Sequence, residues 1–191
     1  MKYTRDISTV THEVKQSKFI AHFMPFDLYK ATLTSLKEKH PKARHFVTAY
    51  RYLNEFDQVV ESSSDDGEPK GTSGKPSLMV LQGQGVINCG VIIVRYFGGT
   101  KLGTGGLVRA YSDAVNLVID AVNFIPYKKE IFKTIEIGYS DVRFIDYECI
   151  EYQITVIEKK FESCISYVIK ADEKSMVDFL EKVKRVVCIS Q

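Results

Sequence analysis

Residues 89–111 have the sequence CGVIIVRYFGGTKLGTGGLVRAY, and this stretch decides the fold of the N-terminal part of the chain. Its first part, Cys89–Phe97, is almost uniformly apolar in the middle, which is typical of a strand covered on both faces. Its last part begins a predicted helix, Gly106–Val122, because apolar residues recur there at helical spacing opposite a polar stripe. The stretch therefore predicts a buried strand and an amphipathic helix, joined by a run rich in glycine.

That run, Gly98–Gly106, is the first candidate for a binding site, and we refer to it as the glycine-rich connection. Glycine lets the backbone adopt positive φ and approach a ligand closely, while the free N–H groups and the dipole at a helix start favour an anion. The natural ligand is a phosphate, either free or in a nucleic-acid backbone. The residues predicted to bind it are Arg95, Gly98, Gly99, Lys101, Gly103, Gly105, Gly106 and Arg109.

A purely structural role for these glycines is the alternative, and both interpretations stay open at this point. The chain contains no P-loop, since Gly74-Lys75 is followed by Pro76, and no stretch matches G-x-G-x-x-G. The glycines would then only make a tight connection and allow the helix to pack closely.

The second candidate lies in Ser62–Lys75, a polar run that predicts a loop ahead of a short helix starting near Pro76. We refer to its central part, Asp65–Ser73, as the acidic loop. Its acids could hold a hard cation, supply an acid or base, or contact a partner protein. Alternatively, they bond to nearby N–H groups of a turn. The residues predicted to belong to this second loop of the same surface are His45, Asp65, Asp66, Glu68, Gly71 and Thr72.

The third candidate is the predicted strand His45–Leu53, which carries Phe46, Tyr50 and Tyr52 on one face. Aromatic side chains beside arginines suit single-stranded RNA, whose bases stack on them. Aromatic strand faces are more often part of a core, so the sequence leaves both roles open. His45 alone is more typical of a hydrogen-bonded structural histidine than of a catalyst.

The remaining pattern divides the chain into two domains. In the first, Val14–Met24 is a predicted strand, a helix follows until Pro41, and Asn54–Asp57 is a predicted hairpin turn into a strand at Gln58–Glu61. Asn123–Lys129 is a predicted linker, after which strands and helices follow the ferredoxin-like order βαββαβ, with Asp141 as a helix cap. The predicted elements of this second domain are Ile131–Tyr139, a helix to about Tyr152, Ile154–Phe161, Cys164–Ala171, Lys174–Lys184 and Val186–Ser190.

Composition sets broad limits on the function. The chain has 191 residues, 45% of them apolar, and a formal net charge of +2, which neither demands nor excludes a nucleic-acid partner. The N-terminal residues lack the apolar core of a signal peptide, and the longest apolar run, Val91–Val94, is far below the ~20 residues of a membrane helix. We expect a cytoplasmic protein with free, mostly buried cysteines and with no membrane contact, metal or cofactor.

Taken together, these segments resemble the YigZ/IMPACT family. The match covers Met1 to about Phe124, and the second half resembles the C-terminal domain of bacterial members. The expected domains are therefore residues 1–124 and 130–191. The segments that carry the resemblance are Lys18–Ala21, Ala43–His45, Asp65–Pro69, Gly71–Gly74, Val94–Gly99 and Gly105–Tyr111.

The resemblance implies an α+β fold in two parts. The N-terminal domain would be similar to the second domain of a small-subunit ribosomal protein, with a left-handed βαβ crossover that runs against the usual rule. The C-terminal domain would be ferredoxin-like and similar to the last domain of elongation factor G. The family supplies no agreed catalytic residues, so none is assigned from it.

From these observations we expect a non-enzymatic, translation-linked regulator that binds RNA or the ribosome, with a translation-related protein as a further possible partner. Its contacts would come from the glycine-rich connection and the neighbouring basic residues, without sequence-specific DNA binding. One alternative is an enzyme acting on a phosphorylated or nucleotide substrate. Another is a protein-interaction module that uses the acidic loop.

Overall fold

The computed structural model describes residues 1–189 and forms two compact units, which divide between Tyr127 and Lys128. A single 3₁₀ turn at Phe26–Leu28 leads into the first helix. The elements of the first unit are β1 (Lys2–Tyr3), β2 (Ser8–Val14), β3 (Ser17–Pro25), α1 (Tyr29–Lys39), β4 (His45–Leu53), β5 (Val59–Ser64), α2 (Gly74–Gly83), β6 (Cys89–Tyr96), α3 (Gly103–Asp120) and β7 (Ile125–Pro126).

The first unit is built on a five-stranded sheet in the order β2–β3–β6–β4–β5, with every neighbouring pair antiparallel. Strand β6 lies at the centre and is covered on both faces, as its apolar sequence predicts. Val91 and Ile93 pack on one face with residues of α2 and α3. Ile92 and Val94 pack on the other face with residues of α1.

The connections of this sheet include one left-handed crossover, as the resemblance implies. The crossovers β3–α1–β4 and β5–α2–β6 each join two parallel strands that have one strand between them. Compared with β3–α1–β4, the crossover β5–α2–β6 runs across the sheet in the opposite direction and starts from a strand that points the opposite way. Its helix also lies on the opposite face of the sheet. Each reversal inverts the hand, so the two crossovers have opposite hands. One of them therefore breaks the right-handed rule.

Several boundaries differ from the sequence prediction. The predicted strand Val14–Met24 corresponds to β3 but starts too early, because a tight turn at Lys15 and Gln16, both with positive φ, separates β2 from β3. Ser62–Ser64 belong to β5 rather than to a loop, since they pair with β4. Helix α3 begins at Gly103, so the last glycines of the glycine-rich connection form its first turn.

The second unit is ferredoxin-like. Its sheet has the order β11–β8–β10–β9, with antiparallel neighbours, and the buried core residues Ile135, Tyr167 and Phe179 lie between sheet and helices. Its elements are β8 (Glu130–Ile137), α4 (Val142–Glu151), β9 (Thr155–Phe161), β10 (Ile165–Asp172), α5 (Glu173–Val183) and β11 (Val187–Ile189). Ser190, the predicted end of the last strand, lies outside the described residues.

Two further predictions need correction. Asp141 precedes α4 but makes no capping hydrogen bond, whereas Asp172 caps α5 by accepting from the backbone N–H of Ser175. The predicted linker Asn123–Lys129 contains β7, which pairs with β1.

All four cysteines are free, although only Cys89 and Cys149 are buried. Within residues 1–189 no helix is long and apolar enough to cross a membrane.

Candidate phosphate-binding pocket

The candidate site lies at the end of the sheet where strand β4 begins and the neighbouring strand β6 ends. These strands are antiparallel, so His45 pairs with Arg95, and the chain then runs from β6 towards α3. A cavity of about 460 Å³ opens at this end of the sheet. Its wall is formed by the start of β4, by Glu68 of the acidic loop and by residues between Arg95 and Leu107. Both loops singled out in the sequence therefore border one cavity.

A buried ion pair forms one side of this cavity. Arg95 Nη1 donates to Glu68 Oε1 at 2.5 Å, and the side chains are 7% and 3% exposed. Tyr111 of α3 donates its hydroxyl to the same oxygen at 2.8 Å. Burial raises the pKa of Tyr111, and the charge of Glu68 raises it further, so the phenol stays protonated. Through these two hydrogen bonds, Glu68 ties the acidic loop to β6 and α3.

This ion pair changes the roles expected of its members. The charge of Arg95 is balanced by Glu68, so this arginine is not the freely available phosphate contact that the sequence suggests. One oxygen of Glu68 accepts from two donors, which disfavours Glu68 as a cation ligand or an acid. Arg95 nevertheless lines the cavity, and its buried Nε has no hydrogen-bond partner.

The carboxylates of Asp65 and Asp66 bond to backbone N–H groups of the acidic loop and of the elements next to it. Asp65 accepts hydrogen bonds from the N–H groups of Gly71, Ser73 and Gly74 and from the Ser73 hydroxyl, at 2.7–3.1 Å. Burial acts to raise the pKa of Asp65, but these hydrogen bonds outweigh it and hold the pKa below its usual value. Asp66 Oδ2 accepts from Phe46 N at 2.6 Å. The turn interpretation therefore fits Asp65, whereas the carboxylate of Asp66 ties the loop to β4.

The other predicted members of this loop are also engaged in it. Gly71 has φ +76°, and the Thr72 hydroxyl donates to the carbonyl oxygen of Pro69 at 2.6 Å. Neither residue lines the cavity. Across residues 1–189, no three His, Cys, Asp or Glu side chains are grouped so that they could hold a metal ion.

His45 is held against the acidic loop with its ring at the cavity. Its Nδ1–H donates to the carbonyl oxygen of Asp66 at 2.8 Å, because a carbonyl can only accept. The neutral ring therefore has Nε2 as an acceptor, and Nε2 has no partner in the described part of the chain. A Cβ at Gly67, which has φ +84°, would lie 3.5 Å from this ring.

The glycines of the glycine-rich connection serve different purposes. A Cβ on Gly98 would lie 2.1 Å from the carbonyl carbon of Gln16, so close packing requires this glycine. Gly99 and Gly103 have φ values of +88° and +72°, which other residues rarely adopt. Gly106 is limited by Leu102, whose Cβ would be 3.1 Å away. Gly105 has normal helical backbone and open space around its Cβ position, so the fold does not require glycine there.

The start of α3 presents unpaired backbone donors at the cavity. Leu102 is in the right-handed helical region and Gly103 follows with positive φ, an order that forms an anion-binding nest of successive N–H groups. No side chain caps this helix end. Leu102, Gly103 and Thr104 all line the cavity. The first N–H groups of an 18-residue helix are therefore available to an anion.

Two exposed cations complete the site. Lys101 and Arg44 line the cavity, and neither has an ion-pair partner within residues 1–189. Arg109 is exposed on α3 but is not part of the cavity wall, and Gly98, Gly99, Gly105 and Gly106 are not part of it either. Sequence reasoning missed Arg44 and Phe97 as wall residues. The pairing of His45 with Arg95 brings Arg44 and Phe97 to the same end of the sheet. Which strands pair cannot be read from one sequence.

The strand aromatics pack against other aromatic side chains. Phe26 stacks on Tyr52 with ring centroids 4.0 Å apart and also contacts Tyr50 at 5.1 Å. Phe46 is buried in the cluster beneath α1. These contacts favour the core interpretation of the aromatic face of β4 over RNA stacking.

Known proteins identify the family of this chain. Residues 15–119 match the family described as the Impact N-terminal domain. The Escherichia coli K12 protein "IMPACT family member YigZ" is 37% identical over 172 residues, covering 88% of this chain and 78% of the relative. The Haemophilus influenzae "IMPACT family member" is 34% identical over 171 residues, covering 87% and 82%. The chain belongs to the IMPACT family.

One solved structure extends the similarity to both units. A crystal structure described as that of a hypothetical protein has a TM-score of 0.69 and 28% identity, covering 98% of this chain and 95% of the other. The structure described as the two-domain translational regulator Yih1 is 25% identical, with a TM-score of 0.37, covering 61% of this chain and 45% of that chain.

Proposed function

We propose that this protein is a non-enzymatic, translation-linked regulator that binds RNA or the ribosome through the phosphate pocket. We define the phosphate pocket as the cavity formed by Arg44, His45, Lys101 and Leu102–Thr104 with Glu68, Arg95 and Phe97. The observation that carries the proposal is the pair of exposed cations beside an uncapped helix start. Family membership supports the link to translation, as an analogy of fold.

The charges of the pocket favour an anionic ligand. Glu68 is neutralised by Arg95, and the carboxylates of Asp65 and Asp66 accept hydrogen bonds from the loop and from β4. Lys101 and Arg44 are left as uncompensated charges at the cavity. A nucleic-acid phosphate is a fitting partner, because lysine and arginine supply most of the affinity of such contacts.

The exposed Arg109 extends this positive surface along α3, outside the cavity. It is a proposed second contact for a bound RNA strand, whereas Lys101 and Arg44 hold the phosphate in the pocket. Arg95 acts through its ion pair, which fixes the wall of the cavity.

The two alternatives have less support. An enzyme that used the acidic loop for magnesium or for acid–base chemistry would need available carboxylate oxygens, and both oxygens of Asp65 and Oδ2 of Asp66 already accept hydrogen bonds. An interaction module that used the same loop would meet carboxylates that backbone N–H groups already hold in place. No specific observation therefore favours either function over phosphate binding.

Salt-dependent sedimentation with ribosomes and binding of single-stranded RNA test the proposal. Phosphate contacts release counterions, so affinity should fall steeply with salt. The double variant Arg44→Ala/Lys101→Ala should bind more weakly and lower the slope of log K against log salt by about 1.4–1.8, for two lost phosphate contacts.

The matched control is Lys30→Glu, which changes the net charge by the same amount. Lys30 is exposed on α1, on the sheet face opposite α3. This variant should keep nearly the full affinity and slope. If wild-type protein binds neither RNA nor ribosomes at low salt, or if the double variant and the control weaken binding equally, the proposal is wrong.

A further inference from the structure

We infer that the phosphate pocket takes the terminal phosphate monoester of a nucleotide, either at the end of an RNA or in a free mononucleotide, with its base stacked on Phe97. This inference rests on the proposed function and gives it a ligand class. The internal phosphodiesters of a continuous strand would make the outer contacts, such as those with Arg109.

The shape of the pocket suits the end of a chain or a small molecule. Its volume of about 460 Å³ falls within the range of small-ligand sites. Three segments that are distant in sequence meet around it, at Arg44–His45, at Glu68–Pro69 and from Arg95 to Leu107. A concave wall of this kind surrounds a terminal group, whereas a passing strand lies along an open groove.

The charge of the pocket suits a monoester. A phosphate monoester carries about −1.5 to −2 at pH 7, whereas an internal phosphodiester carries a single charge. Lys101 and Arg44 supply two uncompensated positive charges, and the helix start adds backbone donors. His45 contributes Nε2, which accepts a hydrogen bond from a protonated phosphate oxygen or a ribose hydroxyl when the ring is neutral.

Arg95 places a buried, positively charged guanidinium in the wall of the pocket. Its side chain is 7% exposed and lines the cavity, yet its Nε has no hydrogen-bond partner. Buried donors in native proteins almost always have a partner. Glu68 and the ring of Phe19, 5.4 Å from the guanidinium carbon, hold Arg95 in place.

Phe97 separates a nucleotide from a simple phosphate. Its side chain is 54% exposed and lines the same cavity, and its ring centroid lies 5.9 Å from the guanidinium carbon of Arg95. An exposed aromatic ring beside a phosphate site provides a surface on which a base can stack. Inorganic phosphate would make no use of it.

Fluorescence anisotropy with one short single-stranded RNA in three forms tests this inference. The forms carry a 5′-phosphate, a 3′-phosphate or hydroxyls at both ends. A phosphorylated end should tighten binding on the order of tenfold, as expected for charge-assisted hydrogen bonds to one group. AMP should compete, and adenosine should not.

The Phe97→Ala variant tests the stacking part. It should weaken binding of the phosphorylated RNA and of AMP on the order of tenfold, because stacking of a base contributes that much. Phe56→Ala is the matched control, since Phe56 is 72% exposed in the turn between β4 and β5, away from the pocket. It should bind like the wild-type protein. Equal effects of the two variants would overturn the stacking assignment.

The outcomes separate this inference from the proposed function. If all three RNAs bind equally and AMP does not compete, the terminal-phosphate site is wrong, while salt-sensitive ribosome binding can still hold. If AMP binds through Phe97 but phosphorylated RNA gains nothing, the site is supported with a free nucleotide as its source. Tight binding of phosphorylated RNA with weak AMP competition supports an RNA end as the source.

Discussion

The acidic loop and the glycine-rich connection border the same cavity, but their polar groups are used in opposite ways. The carboxylates of Asp65 and Asp66 accept hydrogen bonds from backbone N–H groups of the loop and of β4. In the connection, the N–H groups at the start of α3 have no capping side chain, and Lys101 has no ion-pair partner in the described residues. Polar groups that the fold has already satisfied stabilise it, and those left open are available for binding.

The buried ion pair gives the largest expected effect on stability. Glu68→Gln keeps the shape of the side chain but leaves the charge of Arg95 buried without a counter-charge. Removing one partner of such a pair costs about 3–5 kcal/mol, so we expect the variant to lose that much unfolding free energy. Urea denaturation measures the loss. The control Glu13→Gln breaks an exposed pair with Lys18 and should cost less than about 1 kcal/mol. Equal costs would mean that the acidic loop is not held by this pair.

Gly98→Ala tests the part of the glycine-rich connection that serves the fold. The new methyl group would lie 2.1 Å from the backbone of Gln16, so the turn between β2 and β3 must shift. We expect a loss of about 1–3 kcal/mol, as for other overpacked sites. Thermal unfolding measures the loss, and an unchanged melting temperature would contradict the packing role.

Asp65→Asn tests whether the acidic loop is organised by its carboxylate. Loss of charge-assisted hydrogen bonds should cost about 1–3 kcal/mol at neutral pH. The pKa of Asp65 is lower in the folded state than its usual value in an unfolded chain, so its contribution to stability is complete above that usual value and is lost as pH falls through the folded pKa. Unfolding measured from pH 7 to pH 3 should show the difference between variant and wild type shrinking at the acid end. A constant difference would contradict this role.

Gly105→Ala gives the smallest expected effect on stability and the sharpest contrast with Gly98→Ala. Its Cβ position is open and its backbone is helical, so alanine should stabilise α3 by up to about 1 kcal/mol. If a ligand approaches this turn closely, the same change should weaken RNA binding. Increased stability together with unchanged binding would show that Gly105 has no part in the site.

The sequence predicts the regular parts of the fold better than the site. The apolar run of β6, the stripe of α3 and the βαββαβ order of the second unit follow from periodicity, and the family resemblance supplied the left-handed crossover. The β2–β3 turn was missed because Lys15-Gln16 contains none of the usual residues for positive φ. The pairing of Arg95 with Glu68, 27 residues apart, depends on tertiary structure, and so does the presence of Arg44 and Phe97 in one wall.

The central position of β6 has a consequence for the order in which the first unit can assemble. Strands β2 and β3 form one hairpin, β4 and β5 form another, and the only strand that joins them is the last of the five to be synthesised. Until Tyr96 has been synthesised, no strand is present that can join the two hairpins into one sheet. Late insertion of a middle strand requires long-range pairing, which is slow and leaves strand edges exposed to other chains. Slow completion of this one strand would therefore lengthen the time in which unpaired strand edges can meet another chain.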